Sequence, residues 1–322
     1  MAQKAHRVRN WRKYNEALVQ RGSITLWFSD KVIADWHTND SKQPLGRPRK
    51  YSDMAITCGL TLKAVFNLTF RAVEGFITSL IKLLKLNMQS PDYSSLCKRQ
   101  KTLKISLPKT RSKEGLHLLV DTTGVKVFGE GEWKVRQHGY TKRRVWRKLH
   151  LAINENNQKI EAFEVTESSF QDGDGLLTLL SKIDQKIDKV IGDGAYDQYK
   201  IYKISEEQDF TLIAPPKRDA KLTKECTGYS TLKKLTPEML HALKSRDCYI
   251  EKIRRIGRKE WKEKVGYHKR SLAETAMFRI KTVLGNKLST RIFAHQKVEA
   301  AIWCNILNRM TTLGMPLSEA II

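Results

Sequence analysis

Two aspartates stand where a carboxylate is expensive to keep. Asp121 follows the apolar run Leu118-Leu119-Val120, and Asp193 follows Val190-Ile191-Gly192 and precedes Gly194. Both are expected at or near the ends of central strands. A carboxylate beside a core strand is costly to bury unless it is paired or metal-bound. If the two strands are neighbours, their carboxylates converge, and like charges at close range need a cation between them. Taken singly, each Asp is better explained as the start of a turn. Taken together in one sheet, they favour a divalent-cation site. A third acid is offered by the segment from Tyr267 to Lys281. On a helix at about 100° per residue, with Tyr267 at zero, Arg270 falls near 300°, Glu274 near 340° and Lys281 near 320°. Leu272, Ala276, Ile280 and Val283 fall nearly opposite and read as the core face. One face therefore presents a phenol, two cations and a single carboxylate. The wheel alone does not separate this from a solvated face with an Arg270–Glu274 ion pair.

The elements needed to hold these groups are legible from period. Residues 116–128 read as strand, Gly-containing turn and strand; 145–154 and 160–166 alternate as strands. Residues 172–183 read as a helix, 189–194 as a short buried strand, 198–208 as a helix and 210–216 as a strand. The order is βββαβαβ, with three antiparallel strands followed by crossovers. Residues 217–240 read as loop, 236–286 as a long helical stretch and 294–312 as a last helix with Trp303, Ile306, Leu307 and Met310 in the core. Upstream, Ser52 and Asp53 are N-cap candidates for a helix over 52–66, and a second apolar stripe runs through 70–87. These two helices are compatible with a helix-turn-helix unit and equally with any small bundle.

Charge sets the partner class. Lys and Arg number 59 against 34 Asp and Glu, a net charge of +25 over 322 residues. Residues 1–115 carry net +14, residues 116–216 net −2 and residues 217–322 net +13. A near-neutral centre between basic flanks is what a catalytic core with DNA-gripping flanks predicts, because phosphate contacts are made by Lys and Arg. The segment Gly46-Arg47-Pro48-Arg49-Lys50 resembles an AT-hook core, with Arg47, Arg49 and Lys50 as DNA contacts, or else a basic linker. No apolar run reaches the length of a membrane span, and no secretory signal opens the chain, so no membrane partner is expected. The five cysteines are scattered, without a C-x-x-C pair, and read as free thiols in a reducing compartment rather than a zinc site. The expected domains are a basic N-terminal arm (1–50), a helix-turn-helix-like region (51–97), a linker (98–115), a catalytic domain (116–290, with a loop insertion at 217–240) and a C-terminal helix (291–322).

The spacing Tyr267-x2-Arg270-x3-Glu274-x6-Lys281 matches the Y-R-E-K signature of bacterial insertion-sequence DDE transposases. Asp121 in VDTTG and Asp193 in IGDGAYD resemble the first and second Asp of that family's triad. WRKLHLAIN (146–154) and GRPRKYSD (46–53) resemble the insertion-sequence five group, and the resemblance runs from Arg47 to Pro316. It implies an α/β fold of the RNase H-like kind, a mixed five-stranded sheet with flanking helices, preceded by a small helical DNA-binding region. It implies that Asp121, Asp193 and Glu274 hold two Mg²⁺ ions, with Mn²⁺ as a substitute. Hard oxygen donors suit either ion. Tyr267, Arg270 and Lys281 would meet DNA near the cut, with no covalent protein–DNA intermediate. The implied activity is cutting of DNA at the element's terminal inverted repeats and joining of the freed 3′-hydroxyls to target DNA. A homo-oligomer pairing two ends and a cytoplasmic, nucleoid-associated location follow from that activity. The rival readings are an RNase H-like nuclease without strand joining and a non-catalytic DNA-binding relic.

Overall fold

A computed structural model describes residues 6–38, 48–109, 114–127, 146–225 and 236–320. In chain order the elements begin with β1 (His6–Val8), α1 (Trp11–Gln20), α2 (Ile24–Trp27), α3 (Asp30–Ala34), α4 (Asp53–Val65), α5 (Phe70–Leu83) and α6 (Tyr93–Gln100). They continue with β2 (Leu116–Val127), β3 (Trp146–Asn154), β4 (Ile160–Glu167), α7 (Asp172–Leu180), β5 (Ile187–Ile191), α8 (Tyr199–Glu207) and β6 (Thr211–Ile213). The last are α9 (Pro237–Ile256), α10 (Arg258–Lys264), α11 (Ser271–Val283), β7 (Lys287–Leu288), α12 (Phe293–Leu313) and β8 (Ser318–Ala320). Two compact units divide the chain: Met1–Ser106 with Ile280–Ile322, and Leu107–Arg279.

The first unit is helical. Ser52 and Thr69 cap α4 and α5 by accepting the backbone N–H of Ala55 and Ala72 at 3.0 and 3.3 Å, which satisfies donors a helix start leaves orphaned. Val73, Ile77 and Ile81 recur every fourth residue along α5 and pack with Ile56, Leu60 and Leu62 of α4 and Val298, Ile302 and Ile306 of α12. Trp27, Phe28 and Trp36 join the same core, with the indole N–H groups of Trp27 and Trp36 donating to Arg21 O and Gln89 O. The expected basic N-terminal arm is thus corrected: it carries α1–α3, and two of its tryptophans are buried because large apolar rings outweigh the surrounding charge in choosing a side. The expected separate C-terminal helix is corrected too. α12 belongs to this core, and β8 pairs antiparallel with β1. The α4–α5 pair bends by 110° over the turn 66–69, where Asn67 takes the left-handed φ of 50°. No single described helix is long and apolar enough to cross a membrane.

The second unit is built on a sheet in the order β4-β3-β2-β5-β6. β4, β3 and β2 pair antiparallel; β5 pairs parallel with β2, and β6 with β5. This is the βββαβαβ order expected from the sequence. The even-numbered face of β2, Leu116, Leu118 and Val120, packs on Leu176, Leu179 and Leu180 of α7 and Ile201 and Tyr202 of α8. Three details differ from expectation. β2 runs unbroken through Gly124, because nine successive residues pair with β3. The 217–240 loop yields to α9 at Pro237, a favoured first helical residue. The long 236–286 helix is interrupted at Gly257 and Gly266, whose φ values of 86° and 69° suit glycine and no continuing helix.

Candidate active site

The sheet register places the two aspartates. Leu119 of β2 is opposite Ile191 of β5 in a parallel pair, and Asp121 and Asp193 each lie two residues further on. Side chains two apart share a face, and neighbouring strands lie about 4.8 Å apart. Both carboxylates therefore emerge side by side, on the odd-numbered face. The expectation that Asp121 ends its strand is corrected: β2 continues to Val127, and what stops at this level is its pairing with β5. Asp121 accepts the Thr122 N–H at 2.9 Å. Asp193 caps the 3₁₀ turn Gly194–Tyr196, accepting the Ala195 N–H at 2.8 Å.

Tyr267, Arg270 and Glu274 reach the same place by a route different from the single helix expected. Tyr267–Arg270 form a 3₁₀ turn, and α11 starts at Ser271. A 3₁₀ turn has about three residues per turn, so Tyr267 and Arg270 stand one above the other. The Arg270 guanidinium lies over the Tyr267 ring at 5.8 Å, donates to Asp121 Oδ2 at 3.2 Å and pairs with Glu274 Oε1. The buried stripe of α11 is Ala273, Ala276, Met277 and Ile280; Val283 is exposed and Leu272 half-buried, a small rotation from the expected face. Lys281, half-buried, follows Glu274 by seven residues on α11, two turns along the same side. Burial pushes the Asp121 carboxyl up, and the charges of Asp193 and Glu274 add to this against the Thr122 N–H and Arg270. The Tyr267 phenol is also raised, by burial first, with Asp193 and Asp121 adding to it and Arg270 opposing. Asp121 and Tyr267 thus feel charges brought together from three separate stretches of sequence.

Residues 112–309 match a family model described as a transposase DDE domain, and residues 19–130 match a second model of the same description. The chain belongs to the DDE transposase family. The longer match covers more than half of this transposase and includes all three candidate acids. The mixed sheet with flanking helices is consistent with the RNase H-like fold of a DDE transposase. Membership implies DNA as partner and use of a divalent metal.

The transposase's donors fit such an ion in kind and charge. Asp121, Asp193 and Glu274 are hard oxygen ligands carrying net negative charge. The guanidinium of Arg270 bridges two of them, a cation standing where a cation is needed. Among the described residues, no three His, Cys, Asp or Glu stand ready-formed around one metal position.

Other sequence candidates lie elsewhere in the transposase. Arg47 is outside the described residues. Arg49 and Lys50 belong to the first unit, where Lys50 Nζ donates to Gln89 Oε1 at 2.5 Å. Arg147 and Lys148 pair with Glu167 and Asp172 at 3.6 and 3.0 Å. Two further residues lie around the acids. Glu155, almost wholly buried, pairs with Lys189 at 3.0 Å and with Lys269, the residue before Arg270. His150 is fully buried behind Asp121; the alternation of WRKLHLAIN around a core strand was the cue to its burial.

Proposed function

We propose that this chain is the transposase of a bacterial insertion sequence. It binds the element's terminal inverted repeats, cuts the DNA at each end and joins the freed 3′-hydroxyls to target DNA. The observation that carries this reading is the convergence of Asp121 and Asp193, two residues beyond one parallel strand pair, with the Arg270–Glu274 turn closing on Asp121. Asp121, Asp193 and Glu274 would hold divalent cations, Mg²⁺ or Mn²⁺. When bound, such ions activate the attacking oxygen and stabilise the leaving 3′-oxygen of an in-line displacement.

The chain's own groups then have separable tasks. In each step an oxygen nucleophile forms a bond to phosphorus as the bond from phosphorus to the 3′-oxygen breaks. Arg270 transfers its hydrogen bonds from the carboxylates to a phosphate oxygen, a partner it matches bidentately. Lys281 supplies a second cation further along the same side of α11. Tyr267, its phenol held protonated, donates a hydrogen bond rather than attacking. DNA ends are read through the first unit, where α4 and α5 meet at 110° over a four-residue turn, the geometry of a helix-turn-helix. Arg71, Gly75, Ser79 and Lys82 form an exposed row along α5.

The test needs the element's own ends. Inverted repeats bracketing the gene supply the oligonucleotide for Mg²⁺-dependent cleavage and joining assays. Asp121→Asn, Asp193→Asn and Glu274→Gln should each abolish both reactions while leaving end binding intact. Cleavage at the wild-type rate in any one of them removes that residue from the metal site. Cleavage without joining by the wild-type protein favours the nuclease.

A further inference from the structure

Behind the paired aspartates, on the opposite face of β2, runs a partly buried chain of hydrogen bonds whose direction is set by its last link. The Thr166 hydroxyl donates to Glu167 O at 3.3 Å, so its oxygen accepts from His150 Nε2 at 2.8 Å. That leaves His150 Nδ1 as an acceptor, facing the Thr122 hydroxyl at 2.8 Å. The Thr122 oxygen in turn accepts from the Tyr196 hydroxyl at 3.3 Å. His150 is fully buried and Tyr196 nearly so. Burial lowers the imidazole's proton affinity and raises the phenol's, which keeps the one neutral and the other a donor, as this polarity requires.

The two ends of the chain are attached to the two aspartates. Thr122 follows Asp121 and holds its carboxylate through the backbone N–H, while Tyr196 closes the 3₁₀ turn that Asp193 caps. The packing leaves the chain no slack. A Cβ on Gly175 of α7 would lie 2.4 Å from His150 Nδ1, and one on Gly192 would lie 2.4 Å from the Tyr196 ring. Thr122 and His150 are also direct cross-strand partners in the β2–β3 ladder. Fully satisfied buried networks of this kind hold one geometry, because a broken member leaves an unpaired polar group in the core.

We propose that Tyr196, Thr122 and His150 are positioning residues that fix the separation and orientation of Asp121 and Asp193 for a divalent cation. This rests on the reading of those two aspartates as metal ligands. Removing partners behind metal ligands commonly costs about 10–100-fold in metal affinity.

The experiment is direct Mn²⁺ binding to the full-length protein without DNA, followed by paramagnetic resonance of the free ion, with thermal unfolding in parallel. Thr122→Val keeps the shape and deletes the hydroxyl; it should weaken Mn²⁺ by roughly tenfold. Thr122→Ser restores the hydroxyl and should bind within about twofold of wild type by the same reasoning. Tyr196→Phe deletes only the far hydroxyl, leaves the core packed, and should weaken Mn²⁺ by a few-fold. Leu212→Ala, a core truncation on β6, is the control for general loosening. Wild-type affinity in both Thr122→Val and Tyr196→Phe overturns the proposal. So does an equal loss in Leu212→Ala at matched stability. A wild-type protein with no Mn²⁺ site sensitive to Asp121→Asn overturns the metal-ligand reading itself, and the proposal with it.

Discussion

Arg270 donates to the carboxylate of Asp121 at 3.2 Å across 149 residues of sequence. The same guanidinium pairs with Glu274 four residues on, so one arginine is shared between two of the three acids. A divalent cation and this arginine compete for the same oxygens. Arg270→Gln should therefore raise Mn²⁺ affinity in the absence of DNA by roughly tenfold, the equivalent of about one pKa unit of electrostatic competition. The same variant should cut DNA poorly, because the phosphate loses its bidentate partner. Calorimetric titration with Mn²⁺ checks the first half; an unchanged or weaker affinity would show that the guanidinium does not occupy the cation's place.

Asp121 ionises against its surroundings, and that has a sign. Its carboxyl is raised above the ordinary aspartate range by burial, with Asp193 and Glu274 adding to it. A group whose folded pKa exceeds its unfolded value binds protons more tightly when folded, so its ionisation opposes folding as pH rises through that pKa. Asp121→Asn removes the opposing charge while an amide oxygen still accepts the Thr122 N–H. At pH 7 the variant should melt above wild type. The advantage should shrink in acid, below the raised pKa, where the wild-type carboxyl is itself neutral. Scanning calorimetry at both pH values checks this, and a lower melting temperature for the variant at neutral pH would contradict it.

How much of this was readable in advance follows from what each element depends on. Alternation gave β3 and β4, and local apolar runs gave β2 and β5, since strands with a buried face carry their period in the sequence. The pairing of Asp121 with Asp193 was legible because βββαβαβ leaves few ways to order parallel strands. The break between Tyr267–Arg270 and α11 was not, because a 3₁₀ turn and the first turn of an α-helix differ by a hydrogen-bond offset that side-chain spacing does not encode. Trp27 and Trp36 were hidden among cations, and their burial against α4 and α12 is a long-range choice. Glu155 was invisible as a site residue for the same reason: its partners Lys189 and Lys269 lie on other elements, at no fixed spacing.

Glu155 provides the opposite pH dependence to Asp121. Burial raises its carboxyl, but hydrogen bonds from Lys269 and Lys189 outweigh that and hold it below the ordinary glutamate range. A depressed folded pKa gives stability that is present above the unfolded value and is lost as pH falls through the folded one. Glu155→Gln leaves two ammonium groups without their anion. Removing one partner of a fully buried pair costs about 3–5 kcal/mol; with Lys269 44% exposed, on the order of 2 kcal/mol is expected here. Urea melts should show that deficit at pH 7 and a much smaller one near pH 3. A deficit that is the same at both would mean that packing, not charge, holds Glu155.

The last prediction separates DNA reading from stability at one glycine. Gly75 lies on the exposed side of α5, between Arg71 and Ser79, and a Cβ there meets nothing within 4 Å beyond its own stretch of helix. Glycine inside a helix costs about 0.5–1 kcal/mol relative to alanine, so its presence mid-helix works against folding. A helix that enters the major groove needs small residues where its backbone approaches the base edges. Gly75→Gln should therefore stabilise the protein by up to about 1 kcal/mol and weaken binding to the terminal repeat at least tenfold. Arg71→Ala should weaken the same binding and flatten its salt dependence if Arg71 releases a counterion on contact, by about one unit of slope. Fluorescence anisotropy with the end oligonucleotide across a salt series, alongside thermal melts, reads both effects. If Gly75→Gln binds the end as tightly as wild type, α5 does not lie in the groove and the helix-turn-helix reading of α4 and α5 fails.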